Sequence, residues 1–163
     1  MACVGDRALM DRIDLKILGS LQEDAMMPLV AVAEKAGLSS SPCWRRIQAL
    51  IEKKIIRRRV ALLDPNKVNV PVTVFVTLKT NRHDTKWMTS FAREVAKIPE
   101  VTEFYRMSGE VDYLLRIVVP DVAAYDGVYK RLIGAAELFD VSSSFAMETI
   151  KYSTALPLNY VKI

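Results

Sequence analysis

The residues with the most chemistry in this 163-residue chain form a basic run, "CWRRIQALIEKKIIRRR". Arg45, Arg46, Lys53, Lys54, Arg57, Arg58 and Arg59 are opposed there by one acid, Glu52. Cations in that density suit a polyanion, with Arg offering a planar fork for phosphate or guanine edges and Lys a mobile point charge. A solvated helix face is the other outcome of such a run. Charge distribution helps to separate the two. Residues 1–63 hold 11 Lys+Arg against 7 Asp+Glu and residues 64–163 hold 12 of each, so the whole net charge of +4 lies in the first part. A basic part beside a neutral remainder points to a polyanion that meets one domain only.

Other chemistries find little support. His83 is the only histidine and reads as an exposed loop residue, and Cys3 and Cys43 make neither a disulfide framework nor a metal cluster. No Gly-rich phosphate loop, metal-ligand spacing or nucleophile motif appears, so no metal, no cofactor and no catalytic residue is expected. No apolar run approaches the ~20 residues of a membrane span, and no secretion signal opens the chain, which places it in the cytoplasm.

Several elements must position the basic run. Met10, Ile13, Ile17, Leu18 and Leu21 share one helical face, with Asp11 as N-cap and Asp14 completing a capping box. Pro28 opens a second, short helix with a stripe of Leu29, Val32, Ala33 and Ala36, closed by Gly37. Either Ser40 or Ser41 caps a third helix, with Pro42 in its first turn and Cys43, Ile47, Leu50 and Ile51 inward. Trp44, Arg45 and Gln48 fall on the opposite or flanking face, and Arg46 has an internal acid such as Glu52 within reach. "IIRRRVALLDP" reads as a short basic strand.

This is a helix-turn-helix module whose third helix offers Ser40, Ser41, Trp44, Arg45 and Gln48 to base edges, while Arg57, Arg58 and Arg59 meet phosphates. The alternatives are local: Ser40 and Ser41 as caps only, and Trp44 as a packing residue at the domain edge.

Beyond Pro71 the period changes to two. Val72, Val74, Val76 and Leu78 share one strand face, with Thr73, Phe75, Thr77 and Lys79 on the other. Asp84 caps a helix with Met88, Phe91, Val95 and Ile98 inward. "EVTEFYRM", the turn "SGEVD" and "YLLRIVV" make a hairpin, and Asp121 caps a helix carrying Val122, Tyr125, Val128, Tyr129 and Leu132. "LFDVSSSFAMETIKY" reads as a last, long strand. The fold class is therefore α+β: a winged helix-turn-helix domain over residues 1–64, then a ferredoxin-like βαββαβ domain over 65–163. One sheet face, carrying Phe75, lacks a cover within the chain, which points to a second copy.

Asp11, Asp14, Ile17 and Leu18, with "GLSSSPCWRRIQAL" and "ALLDP", resemble the DNA-binding half of the Lrp/AsnC family of transcription regulators. "MSGEVDYLLRIVVPD" and "METIKYSTALPL" resemble its ligand-sensing half, and the likeness runs in order from about Met10 to Leu158. The resemblance implies double-stranded DNA as partner, a homodimer assembling to a tetramer or octamer, and response to an amino-acid effector. One departure is Lys54, where the family usually has Gly: either the helix ends differently, or Lys54 bears left-handed strain and adds charge near DNA.

For the implied effector, Asp112 would accept the ammonium and the backbone around Ser108, Gly109 and Glu110 would donate to the carboxylate. Ser144, Phe145, Ala146 and Met147 would shape the pocket. A tight turn in which Asp112 ties down its own backbone is the simpler alternative. The rival functions are an oligomeric amino-acid sensor with no significant DNA-binding role and, more distantly, an enzyme.

Overall fold

The computed structural model describes residues 10–82 and 84–163, so the expectations for Cys3 and His83 lie outside the described residues. The chain divides into two compact units: Met1–Leu62 with Lys151–Ile163, and Leu63–Ile150. The segment Lys151–Ile163, which the pattern puts with the second domain, belongs with the first. Its grip is specific. Gln22 donates from Nε2 to the Leu156 carbonyl at 3.2 Å and accepts the Leu156 N–H at 2.7 Å. Leu158, in a short 3-10 turn, packs on the same apolar cluster as α1–α3.

Unit 1 holds α1 (Arg12–Glu23), α2 (Leu29–Ala36) and α3 (Ser40–Glu52) around a core of Ile17, Leu18, Val32, Ala33, Ala36, Cys43, Ile47 and Leu50. Cys43 is a free, buried thiol whose pKa is raised by that burial. Pro28 stands at the N-cap of α2 rather than inside it. Ser39, not Ser40 or Ser41, is the N-cap of α3, with no side-chain cap bond; three consecutive serines leave that boundary to tertiary packing.

The ends of α2 and α3 use one device. At Gly37 (φ 74°) the N–H bonds to the Glu34 carbonyl and the Leu38 N–H reaches back to Ala33. At Lys54 (φ 57°) the N–H bonds to Ile51 and the Ile55 N–H reaches back to Leu50. Both are Schellman ends, with Leu38 and Ile55 packed on the core. Lys54 thus takes the left-handed conformation of the glycine it replaces.

No strand forms over residues 55–63, contrary to the expected basic wing. Extended backbone becomes a strand by pairing, and β1–β4 pair only with one another. Arg57, Arg58 and Arg59 are exposed along this stretch.

Unit 2 is an antiparallel sheet in the order β2-β3-β1-β4, built from β1 (Val72–Lys79), β2 (Val101–Arg106), β3 (Tyr113–Val119) and β4 (Asp140–Phe145). Helices α4 (Thr85–Val95) and α5 (Val122–Ala135) are capped by Asp84 and Asp121 and pack on one face. Val74, Val76, Leu78, Leu115 and Ile117 are fully buried beneath them with Phe91, Val95, Val128 and Leu132. Trp87, not expected inward, is buried one turn before Phe91 and stacks on it at 5.0 Å. Met88 is partly buried against the same cluster as expected, while Val122, also expected inward, is exposed.

Strand β4 stops at Phe145, short of the long strand expected. Its last ladder pair is Phe145 with Val74; Ala146 N–H still bonds to the Thr73 carbonyl, and the chain beyond it leaves the sheet. The opposite sheet face holds Thr73, Phe75, Thr77 and Lys79 with Arg116, Glu103 and Tyr105; Phe75 is 40 % and Tyr105 50 % exposed, so two aromatic rings stand in water.

The left-handed Lys54 yields a stability prediction. Lys54→Gly should raise the denaturation free energy of unit 1 by ~0.5–1 kcal/mol, since Gly relieves the Cβ strain and forfeits part of the gain in unfolded-chain entropy. A denaturant titration showing no gain, or a loss, would mean that Lys54 makes compensating contacts.

Candidate functional site

The basic helix is held from behind by a four-oxygen clasp. Asp11 Oδ1 accepts the N–H groups of Ile13 and Asp14, and Asp14 Oδ2 accepts the Asp11 N–H, forming the capping box of α1. The remaining oxygens, Asp11 Oδ2 and Asp14 Oδ1, both accept from Arg46 Nη1 of α3, at 2.7 and 2.8 Å. The partner of Arg46 is therefore this pair and not Glu52. The hydrogen bond from the Asp14 backbone, with Arg46, holds the Asp11 carboxyl below its usual pKa. Arg46 is thereby committed to positioning α3.

The outward side of α3 carries Ser41, Trp44, Arg45 and Gln48 at i, i+3, i+4 and i+7, one stripe of a helix. Trp44 is 50 % exposed and outside the core cluster. Gln48 is partly buried. Ser40, Ser41, Trp44 and Arg45 line one open groove of about 450 Å³ together with Leu29 of α2. Leu29 is absent from the residues expected here; its place in an apolar stripe concealed that its edge reaches the groove. Lys53, Lys54, Arg57, Arg58 and Arg59 are all exposed, beyond the far end of α3. Thirteen helical residues span about 20 Å, so the arginines and the groove are separate contact points.

The turn between β2 and β3 is tied at both ends. Met107 N–H bonds to the Asp112 carbonyl, and Asp112 N–H bonds to the Leu78 carbonyl. Asp112 Oδ2 accepts the Thr80 N–H at 2.8 Å, so its carboxylate braces the exit from β1. Gly109 has φ 119°, a conformation that favours glycine, and Glu110 pairs with Lys79 at 3.3 Å. Ser108, Gly109 and Glu110 are exposed.

Ser144 and Phe145 pair with Phe75 and Val74, and Ala146 bonds to Thr73, whereas the turn adjoins Leu78 and Thr80. Four strand residues, about 13 Å, separate Val74 from Leu78. The two expected halves of the effector site thus lie at opposite ends of β1. Phe145 turns to the helix face, where its ring meets Tyr125 edge-on at 5.3 Å, and Met147 is exposed.

Among the described residues no cluster of His, Cys, Asp and Glu could hold a metal ion, and no helix is long and apolar enough to cross a membrane.

Two family models match the chain: the AsnC-type helix-turn-helix domain over residues 10–51, and the Lrp/AsnC ligand binding domain over residues 73–156. The chain is 46 % identical over 151 residues to the DNA-binding transcriptional activator DecR of Escherichia coli (strain K12), an alignment covering 92 % of this chain and 99 % of that one. A crystal structure of an AsnC family transcriptional regulator from Agrobacterium tumefaciens superposes with TM-score 0.91 at 60 % identity, covering 94 % of this chain and 100 % of the other. A Neisseria meningitidis transcriptional regulator in complex with L-Met superposes with TM-score 0.88 at 37 % identity, over 93 % and 98 % of the two chains.

The clasp predicts how acid affects unit 1. The folded pKa of Asp11 lies below the value of about 3.9 for an unfolded chain, so its stabilisation is fully present above that value and is lost as pH falls through the folded pKa. Arg46→Met should lower the thermal midpoint by a few degrees at pH 7 and flatten its fall below about pH 4. An unchanged acid slope would show that Arg46 does not set the Asp11 titration.

Proposed function

The chain belongs to the Lrp/AsnC family of transcriptional regulators, and from that premise we propose how its parts divide the work. The first domain, with a boundary near residue 64, binds duplex DNA. Ser40, Ser41, Trp44, Arg45 and Gln48 enter the major groove, and Lys54, Arg57, Arg58 and Arg59 neutralise phosphates. The observation that carries this reading is the exposed stripe of α3, held outward by the Arg46 clasp in the unit that bears the chain's net charge.

The second domain takes a small amino-acid effector and joins copies of the chain. The half-exposed Phe75 and Tyr105 on the open sheet face support a two-fold pairing that would cover them, with tetramers or octamers built on that dimer. The effector site is assembled from Ser108, Gly109, Glu110 and Asp112 of one copy and Ser144, Phe145, Ala146 and Met147 of another, because one chain holds these sets apart. The L-Met complex of the Neisseria protein supports an amino acid as the ligand class. Binding there shifts the assembly, and with it the spacing of DNA-reading helices. Such a regulator works in the cytoplasm.

Two measurements test the division. The logarithm of DNA affinity should fall linearly with the logarithm of salt concentration, and replacing Arg57, Arg58 and Arg59 together by Gln should reduce the slope by up to about 3. Lys54→Gly should reduce it by up to about 1. Weak, salt-insensitive binding would favour a sensor with no DNA role.

In a thermal scan against the common amino acids, a ligand at ~100 times its dissociation constant should stabilise the fold by ~2.7 kcal/mol. Asp112→Asn keeps an acceptor for Thr80 N–H and removes the charge, so it should abolish that shift, read against the variant's own unliganded midpoint. A shift that survives in Asp112→Asn would confine Asp112 to its structural bond.

A further inference from the structure

We infer that the groove between α2 and α3 reads a thymine methyl against Trp44 and Leu29, beside a guanine edge taken by Arg45. Each half-site then carries a T and a G close together. This rests on the DNA-binding role proposed for the same helix.

Trp44 keeps half of its surface in water while Cys43, Ile47 and Leu50 of the same helix are buried. The core of unit 1 is thus formed without Trp44. Among the described residues the other apolar wall of the groove is Leu29, and the rest is Ser40, Ser41 and Arg45. The groove consequently has an apolar corner, two hydroxyls that donate or accept, and a guanidinium that can only donate.

Hydrogen bonds to phosphates, which the Trp44 indole N–H can also donate, give no reason for an apolar wall of Leu29 beside the indole face. Base edges do. Thymine alone among the four bases presents a methyl in the major groove, and guanine alone presents two acceptors side by side, matched by the fork of one arginine. Cytosine offers an amino donor at the same depth, which meets Arg45 badly and leaves Trp44 and Leu29 without an apolar partner. Trp44 and Arg45 point about 100° apart around α3 but line the same groove, so their targets lie close together within one half-site. Ser40 and Ser41 hydroxyls both donate and accept, and they impose no further base.

The test uses the full chain and a duplex enriched by it from a random pool, with affinity read by fluorescence anisotropy at fixed salt. Each thymine is replaced in turn by deoxyuridine, which removes only the methyl. One thymine per half-site should prove sensitive, its demethylation weakening wild type about fourfold, the worth of one buried methyl. The same change should leave Trp44→Ser unaffected. Replacing the neighbouring guanine by 7-deazaguanine should weaken wild type and leave Arg45→Gln unaffected.

The inference is overturned if every deoxyuridine is tolerated, or if the methyl penalty persists in Trp44→Ser. A protein occupant of the groove would give that result. A pool yielding no enriched sequence, bound without salt dependence, would overturn the DNA-binding reading as well, so the two failures are distinct. The base analogues alter only the DNA, so a folding defect in a variant does not mimic the wild-type result.

Discussion

The orientation of α3 depends on one guanidinium. Arg46 closes onto the two carboxylates that already cap α1, so a single nitrogen ties the start of the first helix to the middle of the third. Each carboxylate uses one oxygen on backbone and the other on Arg46. Surface ion pairs usually contribute little, but here the acids are fixed by the helix end before Arg46 arrives, and little side-chain freedom is lost on their side. The neighbouring Arg45, one residue earlier, is exposed and lines the groove. Of two adjacent arginines, one is held inside the domain and the other faces outward.

Unit 2 is governed by a different constraint, the length of its central ladder. β1 and β3 are flanked on both edges. β4 ends at Phe145, paired with Val74, although the residues beyond it have strand-like composition. The residues of "IIRRRVALL" are likewise outside any ladder. A sheet with one face covered by two helices and the other bearing Phe75 and Tyr105 is half of a layered structure.

Local signals in the sequence were enough for the caps at Asp11, Asp84 and Asp121, for β3, and for Cys43, Ile47 and Leu50 on the inward face of α3, since each depends on residues within one or two turns. Ile51, expected on the same face, is 38 % exposed at the end of the helix. The candidate DNA surface was legible for the same reason: exposed residues of a helix follow from its buried ones. What escaped was decided over distance. The partners of Arg46 lie more than thirty residues away. Trp87 joins Met88 on the core through rings contributed by distant elements, among them Tyr113 of β3. Leu29 reached the groove across a helix boundary. The grouping of Lys151–Ile163 with the first unit had no pattern at all, because it turns on one amide side chain.

That amide has a consequence for how the molecule is made. Gln22 meets both polar groups of Leu156, as a neighbouring strand would, and Leu158 fills part of the apolar cluster of α1–α3. The ribosome releases α1–α3 early, yet these contacts must wait until the whole of the intervening unit has been translated. The helical module therefore spends most of synthesis as an unfinished fold, and the DNA-reading part of the chain is the one completed last.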